Sequence, residues 1–253
     1  SGEWEEGGGT NQNWQDQADP DFNSAANNNA NTRFDDGDDV TFSDLGGSTA
    51  TIDLGDPVAP GSMTFESGGY TIVNIDNDND SINVGGTMGV SVAGGLTTDI
   101  VTIDAVISNE GTINFGGTGT VVLAETNEDD GGSTAGTYNL NSGGLTITGS
   151  TAAEDAVVNN GGTLALNGGG TIQGTATNNA GTFNNIDGDV EGVTSVTGGD
   201  VFAQGGDFTG GVQMTGGTMT VENNMTGSIN NGDGATGGTL TINGGTTVTG
   251  NVN

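Results

Sequence analysis

The stretch Ile75–Ser81, IDNDNDS, places Asp76, Asp78 and Asp80 at alternate positions. Alternating carboxylates are how a short loop wraps oxygen ligands around a hard cation such as Ca2+. These three aspartates are therefore the candidate metal ligands, with calcium the predicted ion. The loop departs from the EF-hand pattern: Ser81 stands where that pattern has Gly, and Thr87 where it has a bidentate Glu. Further acidic clusters lie at Asp35–Asp39, Glu128–Asp130 and Asp187–Glu191. The competing reading of all of them is solvated acidic loops that attract divalent cations diffusely.

Other chemistry is narrowed by what the chain lacks. It contains no His, no Cys and a single basic residue, Arg33. Ser-His-Asp, Cys-His and Ser-Lys arrangements are thereby excluded, as are thiolate metal sites and disulfides. A phosphate-binding loop needs its Lys, so the many Gly-x-Gly strings read as turns. Glycoside hydrolysis needs only two carboxylates at a suitable spacing. With 33 acids that chemistry stays open as a remote reading, but no pair stands out and aromatic platforms for sugars are scarce. The expectation is a protein that is not an enzyme.

The net charge is −32. Such a surface repels phosphate backbones and anionic lipid, so neither nucleic acid nor a membrane is an expected partner. It suits a medium rich in salt or divalent cations, which screen the self-repulsion. No apolar run is long enough to span a bilayer as a helix. Ser1 in place of Met predicts a mature chain from which a leader has been removed, hence an extracellular or cell-surface location.

The elements that carry these residues follow from a repeat. Gly accounts for 51 of 253 residues and hydrophobic residues for 30%. That composition alone favours disorder. A regular pattern overrides it, because stacked repeats bury a thin continuous core with few large side chains. GGTLALN (Gly161–Asn167) recurs as GGTMTVE (Gly216–Glu222) and GGTLTIN (Gly237–Asn243). Looser copies are GGLTITG (Gly143–Gly149), EGTINFG (Glu110–Gly116) and GGYTIVN (Gly68–Asn74). Each is a turn followed by apolar residues two apart, the signature of a half-buried strand. The first inward residues fall at Leu145, Leu164, Phe183, Val201, Met219 and Leu240, and upstream at Ile52, Ile72, Val92 and Ile113. Successive steps are about 20 residues, one rung of a β-solenoid. With rungs about 4.8 Å apart, the stack predicts a rod on the order of 50 Å long. Asn-rich corners such as NNGG (Asn159–Gly162) and TNNAG (Thr177–Gly181) tolerate left-handed backbone, and stacked Asn amides can form ladders. The fold class is thus all-β, a single-domain parallel β-solenoid. Residues 36–253 form the solenoid, with an inserted loop near 124–136, and residues 1–35 form an irregular N-terminal cap bearing Trp4 and Trp14.

Most of the chain resembles a known family, the N-terminal part most specifically. Trp4, Trp14, the run Gly37–Phe42 (GDDVTF), Gly61–Phe65 (GSMTF) and Gly69–Thr71 (GYT) follow the order seen in autotransporter-type passenger regions with autotransporter-associated β-strand repeats. The run Gly116–Ile147 is similar to the linker between such repeats. The resemblance implies a right-handed parallel β-helix displayed outside a bacterial cell. The chain departs from that pattern in that its 253 residues include no membrane β-barrel of the kind that exports and anchors such passengers.

From Thr236 onward there is neither acid nor base. Natural sheet edges are usually blunted by charge, Pro or a cap. An uncharged last rung suits strand addition by another chain, and contact between unlike ends builds open filaments. The leading expectation is a structural protein, the subunit of a self-assembling extracellular filament or matrix whose partner is a second copy joined head to tail. The expected interface residues are Trp4 and Trp14 at one end and Leu240, Ile242, Val248 and Val252 at the other. The alternative is an adhesin that binds a surface or glycan through its side.

Overall fold

Alternating apolar residues in short segments, each closed by a Gly-containing turn, dictate strands too short to stand alone. In the computed structural model they are stacked as a parallel β-solenoid, with about 20 residues per turn. The structure describes residues 36–54, 57–74, 81–93, 99–124, 135–151, 155–232 and 237–253, together with the backbone of 2–4 and 14–16. Among the described residues there is no helix.

Each turn has three sides. Two are long sheets of eleven strands; the third is narrow and made of strand pairs and single bridges. One turn shows the order: Thr163–Leu166 in the first sheet, Thr171–Ile172 on the narrow side, Ala176–Asn178 in the second sheet. The next turn repeats it with Thr182–Asn185, Asp189–Val190 and Thr194–Val196. Among the described residues, every strand pairing within the two long sheets is parallel except one. Trp14–Asp16 runs antiparallel to Asp39–Phe42 at the N-terminal end of the second sheet.

In-register stacking puts like on like. Val101, Val121, Leu145, Leu164, Phe183, Val201, Met219 and Leu240 form one continuous column down the first sheet. All but Leu240 are fully buried. From Leu145 onward the predicted column is the observed one. Upstream the prediction fails. Ile52 and Ile72 are neighbours, but the next residue in their column is Ile103, not Val92. Val92 and Ile113 belong to the second sheet, opposite Phe65 and Met88 respectively. The turn from Ile72 to Ile103 is half as long again as its neighbours, although its narrow side, Ser81–Val84, stacks in place between Val58 of the turn before and Val106–Asn109 of the turn after. Both long sheets use the same apolar-x-apolar code, so a longer turn shifts a periodic count onto the wrong face without breaking its rhythm.

Aromatic residues fill the wider layers. Phe42 and Phe65 stack with ring centroids 4.5 Å apart, and Phe115 lies nearly parallel to Tyr138 at 6.3 Å. Tyr70 packs against the first pair and sends its hydroxyl to the Ser43 carbonyl at 2.6 Å. The inserted segment falls between Thr120–Leu123 of the first sheet and Thr137–Leu140 of the second; most of 124–136 lies outside the described residues.

Leu164 is fully buried between Leu145 and Phe183 of the turns on either side. Leu164→Ala should therefore cost about 2–5 kcal/mol, read as a lower chemical-denaturation midpoint.

Candidate functional site

Asp76, Asp78 and Asp80 lie outside the described residues. Among the described residues, no group of three or more acids is gathered closely enough to hold a metal ion. Apart from Asp155, the acids that are described spread along the outside. Asp189 and Asp207 bridge successive turns on the narrow side. Asp189 accepts the Thr209 hydroxyl at 3.1 Å, and Thr218 donates its hydroxyl to Asp200. Stacking equivalent positions thus lets these acids accept from hydroxyls of the next turn.

The polar groups inside the rod are more telling. In the second sheet, the column through Phe115 and Leu140 continues as Asn159 and Asn178 before returning to Val196. Both asparagines are fully buried. Asn159 donates from Nδ2 to Asn178 Oδ1 at 2.8 Å and to the Thr182 carbonyl at 3.0 Å. Its Oδ1 accepts the Gly161 and Gly162 amides at 3.3 and 3.0 Å. Asn178 passes the pattern on by donating to the Gly198 carbonyl at 2.9 Å. Asn159 thus satisfies the corner of its own turn and reaches into the next, and Asn178 does the latter for the turn after. Gly199 sits at this corner with φ +66°, where a Cβ would strike the Gly181 carbonyl of the preceding turn and also meet Asn178 Nδ2 at 2.9 Å. Asn185 repeats the device in the first sheet, accepting Gly188 N–H at 3.1 Å and donating to the Asp207 carbonyl at 2.8 Å.

A second ladder runs outside, one residue along. Asn160 donates to Asn141 at 3.3 Å, Asn179 to Asn160 at 2.9 Å, and Thr197 to Asn179 at 2.7 Å. The sequence places Asn at these corners. What it does not tell is that the first Asn of each pair points in and the second out.

A third feature was not legible in the sequence. Tyr138, Asp155 and Asn109 meet inside the rod, from the second sheet, the segment just before Ala156–Asn159, and the end of Val106–Asn109. Asp155 is 3% exposed and accepts the Gly136 amide at 2.7 Å. The Tyr138 hydroxyl and Asn109 Nδ2 are buried without an aligned hydrogen bond. Burial, and then the neighbouring Asp155 carboxylate, push the Tyr138 pKa well above its ordinary 10.0. No pattern along the chain links these three residues, since each belongs to a different strand register.

The predicted interface residues divide between the two ends. Trp4 pairs with Leu54 through Gly2–Trp4, a parallel strand on the first sheet, and Trp14 pairs with Phe42 on the second. At the far end, Leu240 and Val248 are only partly covered, and Ile242 and Val252 are 42% and 46% exposed. Thr239–Ile242 bonds to Thr218–Val221, and within the described chain its other edge is unpaired. The structure thus gathers Leu240, Ile242, Val248 and Val252 at one end and sets the two tryptophan-bearing strands at the other.

No family model matches this chain, and no match was found among curated proteins or solved structures.

Two outcomes test the buried polar groups. Asn159→Ala leaves the Gly161 and Gly162 amides and the Asn178 carbonyl without their partner. The expected loss is about 1–3 kcal/mol per group left buried and unpaired, measured by denaturation. For Tyr138, a pKa raised on folding means that the folded state holds its proton more tightly than the unfolded state. That contribution is whole below pH 10.0 and is lost as pH rises from there through the higher folded value. Alkaline titration of stability should show this loss. Tyr138→Phe should remove most of it, leaving the lesser share from Tyr70, whose pKa is raised by burial and by Glu66 and Asp44.

Proposed function

We propose that the chain is an extracellular structural subunit that assembles end to end, the last turn of one copy receiving the first strands of the next. The observation that carries this reading is the composition of the C-terminal edge. In the last described turn the core column reaches Leu240, Ile242, Val248 and Val252, two of them more than 40% exposed. No charge from Thr236 to Asn253 protects the edge, although the protein carries 33 acids elsewhere. An apolar core cross-section ringed by unpaired strand backbone is a template for strand addition.

The first strand at the opposite end, Gly2–Trp4, is parallel to the sheet it joins. It offers the polarity that a preceding parallel strand needs. Contact between these unlike ends is heterologous and propagates as a filament. The acidic sides keep neighbouring filaments apart, and divalent cations, with calcium at Asp76, Asp78 and Asp80 the leading candidate, bring them together.

Negative-stain electron microscopy of the purified chain, with calcium and then with chelator, tests this. Filaments that persist in wild type and vanish in Ile242→Asp, while circular dichroism stays unchanged, are the expected result. Dispersal of bundles on chelation would assign the cation role. Single rods under both conditions would overturn the assembly reading.

A further inference from the structure

Four Asn-Gly pairs occur in the described chain, at Asn160, Asn167, Asn231 and Asn243. Glycine lacks a Cβ, so the nitrogen after such an Asn can approach the side-chain carbonyl freely. The geometry points to Asn167 and Asn243 as sites of spontaneous deamidation, with Asn160 and Asn231 protected by the fold.

The reaction needs no enzyme and no oxidant. The glycine nitrogen bonds to Cγ, the Cγ–Nδ2 bond breaks, and the amide leaves as ammonia, taking the glycine proton. Water then opens the five-membered imide at either carbonyl, giving aspartate or isoaspartate. Two conditions govern the rate: the nitrogen must reach Cγ, and neither group can be held elsewhere.

Asn167 meets both. It is exposed, and the Gly168 N–H already lies 2.9 Å from its own Oδ1. A Cβ at Gly168 would have only Thr148 near it, at 3.8 Å, and one at Gly169 nothing within 4 Å, so little crowds the glycine side of this corner. Asn243 occupies the equivalent corner of the last turn. It is exposed, and both Gly244 and Gly245 have open space around them.

The other two pairs have the same sequence and the opposite environment. Asn160 is held at both ends of its amide by Asn141 and Asn179, and the Gly161 N–H is taken by Asn159. At Asn231 the Gly232 N–H donates to Asn230 Oδ1 at 3.2 Å, and the Asn231 Oδ1 is buried. In each case the nucleophile is committed to a different acceptor.

The test is incubation of the intact folded protein at mildly alkaline pH. Peptide mass mapping and isoaspartyl methyltransferase labelling then read each site, with circular dichroism verifying the fold. Severalfold faster conversion at Asn167 and Asn243 than at Asn160 and Asn231 is expected, and in denaturant the four rates should converge. Equal rates in the folded protein, or faster conversion at Asn160 or Asn231, would overturn the assignment. Asn179→Ala provides the second arm. It removes the donor that holds Asn160 Oδ1, and the Asn160 rate should rise; an unchanged rate would show that the ladder is not what protects it.

Discussion

Everything in this molecule depends on parallel backbone hydrogen bonding between successive turns in strict register. A parallel strand satisfies its neighbours on both edges, and side chains at equivalent positions then stack directly. The core exists only because of this. No single turn has enough apolar surface to fold, but Leu145, Leu164, Phe183 and Val201 in file make a continuous apolar wall. The same register sets the polar architecture. Asn159 reaches Asn178 because their strands are paired residue for residue, and Asn160 reaches Asn179 for the same reason.

Register also determines where glycine is needed. The corners between the sheets bring the backbone of one turn against that of the next, and at Gly174 a Cβ would strike the Asp155 carbonyl. The high glycine content is therefore a packing requirement of tight stacking, as well as a matter of turn conformation. It also explains how so low an apolar content is compatible with a closed core: the layers lie close enough for residues as small as Ala176 and Ala203 to be fully enclosed.

Much of this was legible in the sequence, for reasons that particular residues make clear. The strand code GGTLALN and its copies identified the first sheet from Leu145 to Leu240, because there the turns are of nearly constant length. The same code misassigned Val92 and Ile113, because alternation reports that a residue faces inward and not which sheet it belongs to. The paired asparagines of NNGG and TNNAG announced the ladders. The Tyr138–Asp155–Asn109 cluster gave no such sign: its members come from segments that become adjacent only through the coiling of the chain, and a lone buried acid looks like any other Asp. Asp76, Asp78 and Asp80 stand out by spacing alone, and their geometry lies outside the described residues.

The reversed strand Trp14–Asp16 has a consequence for any neighbour that meets this end of the rod. The first sheet presents Gly2–Trp4 in the common direction, whereas the second presents a strand of opposite direction. Slanted, evenly spaced bonds can continue across one sheet, but across the other the alternating narrow and wide pairs of an antiparallel ladder must take over. A second rod meeting this end would have to pair in parallel across one sheet and antiparallel across the other, a combination that among the described layers only the N-terminal one shows. If rods join end to end as proposed, their junctions lack the covalent continuity that links successive turns, so shear would open them first and the fragments would be whole multiples of one molecule.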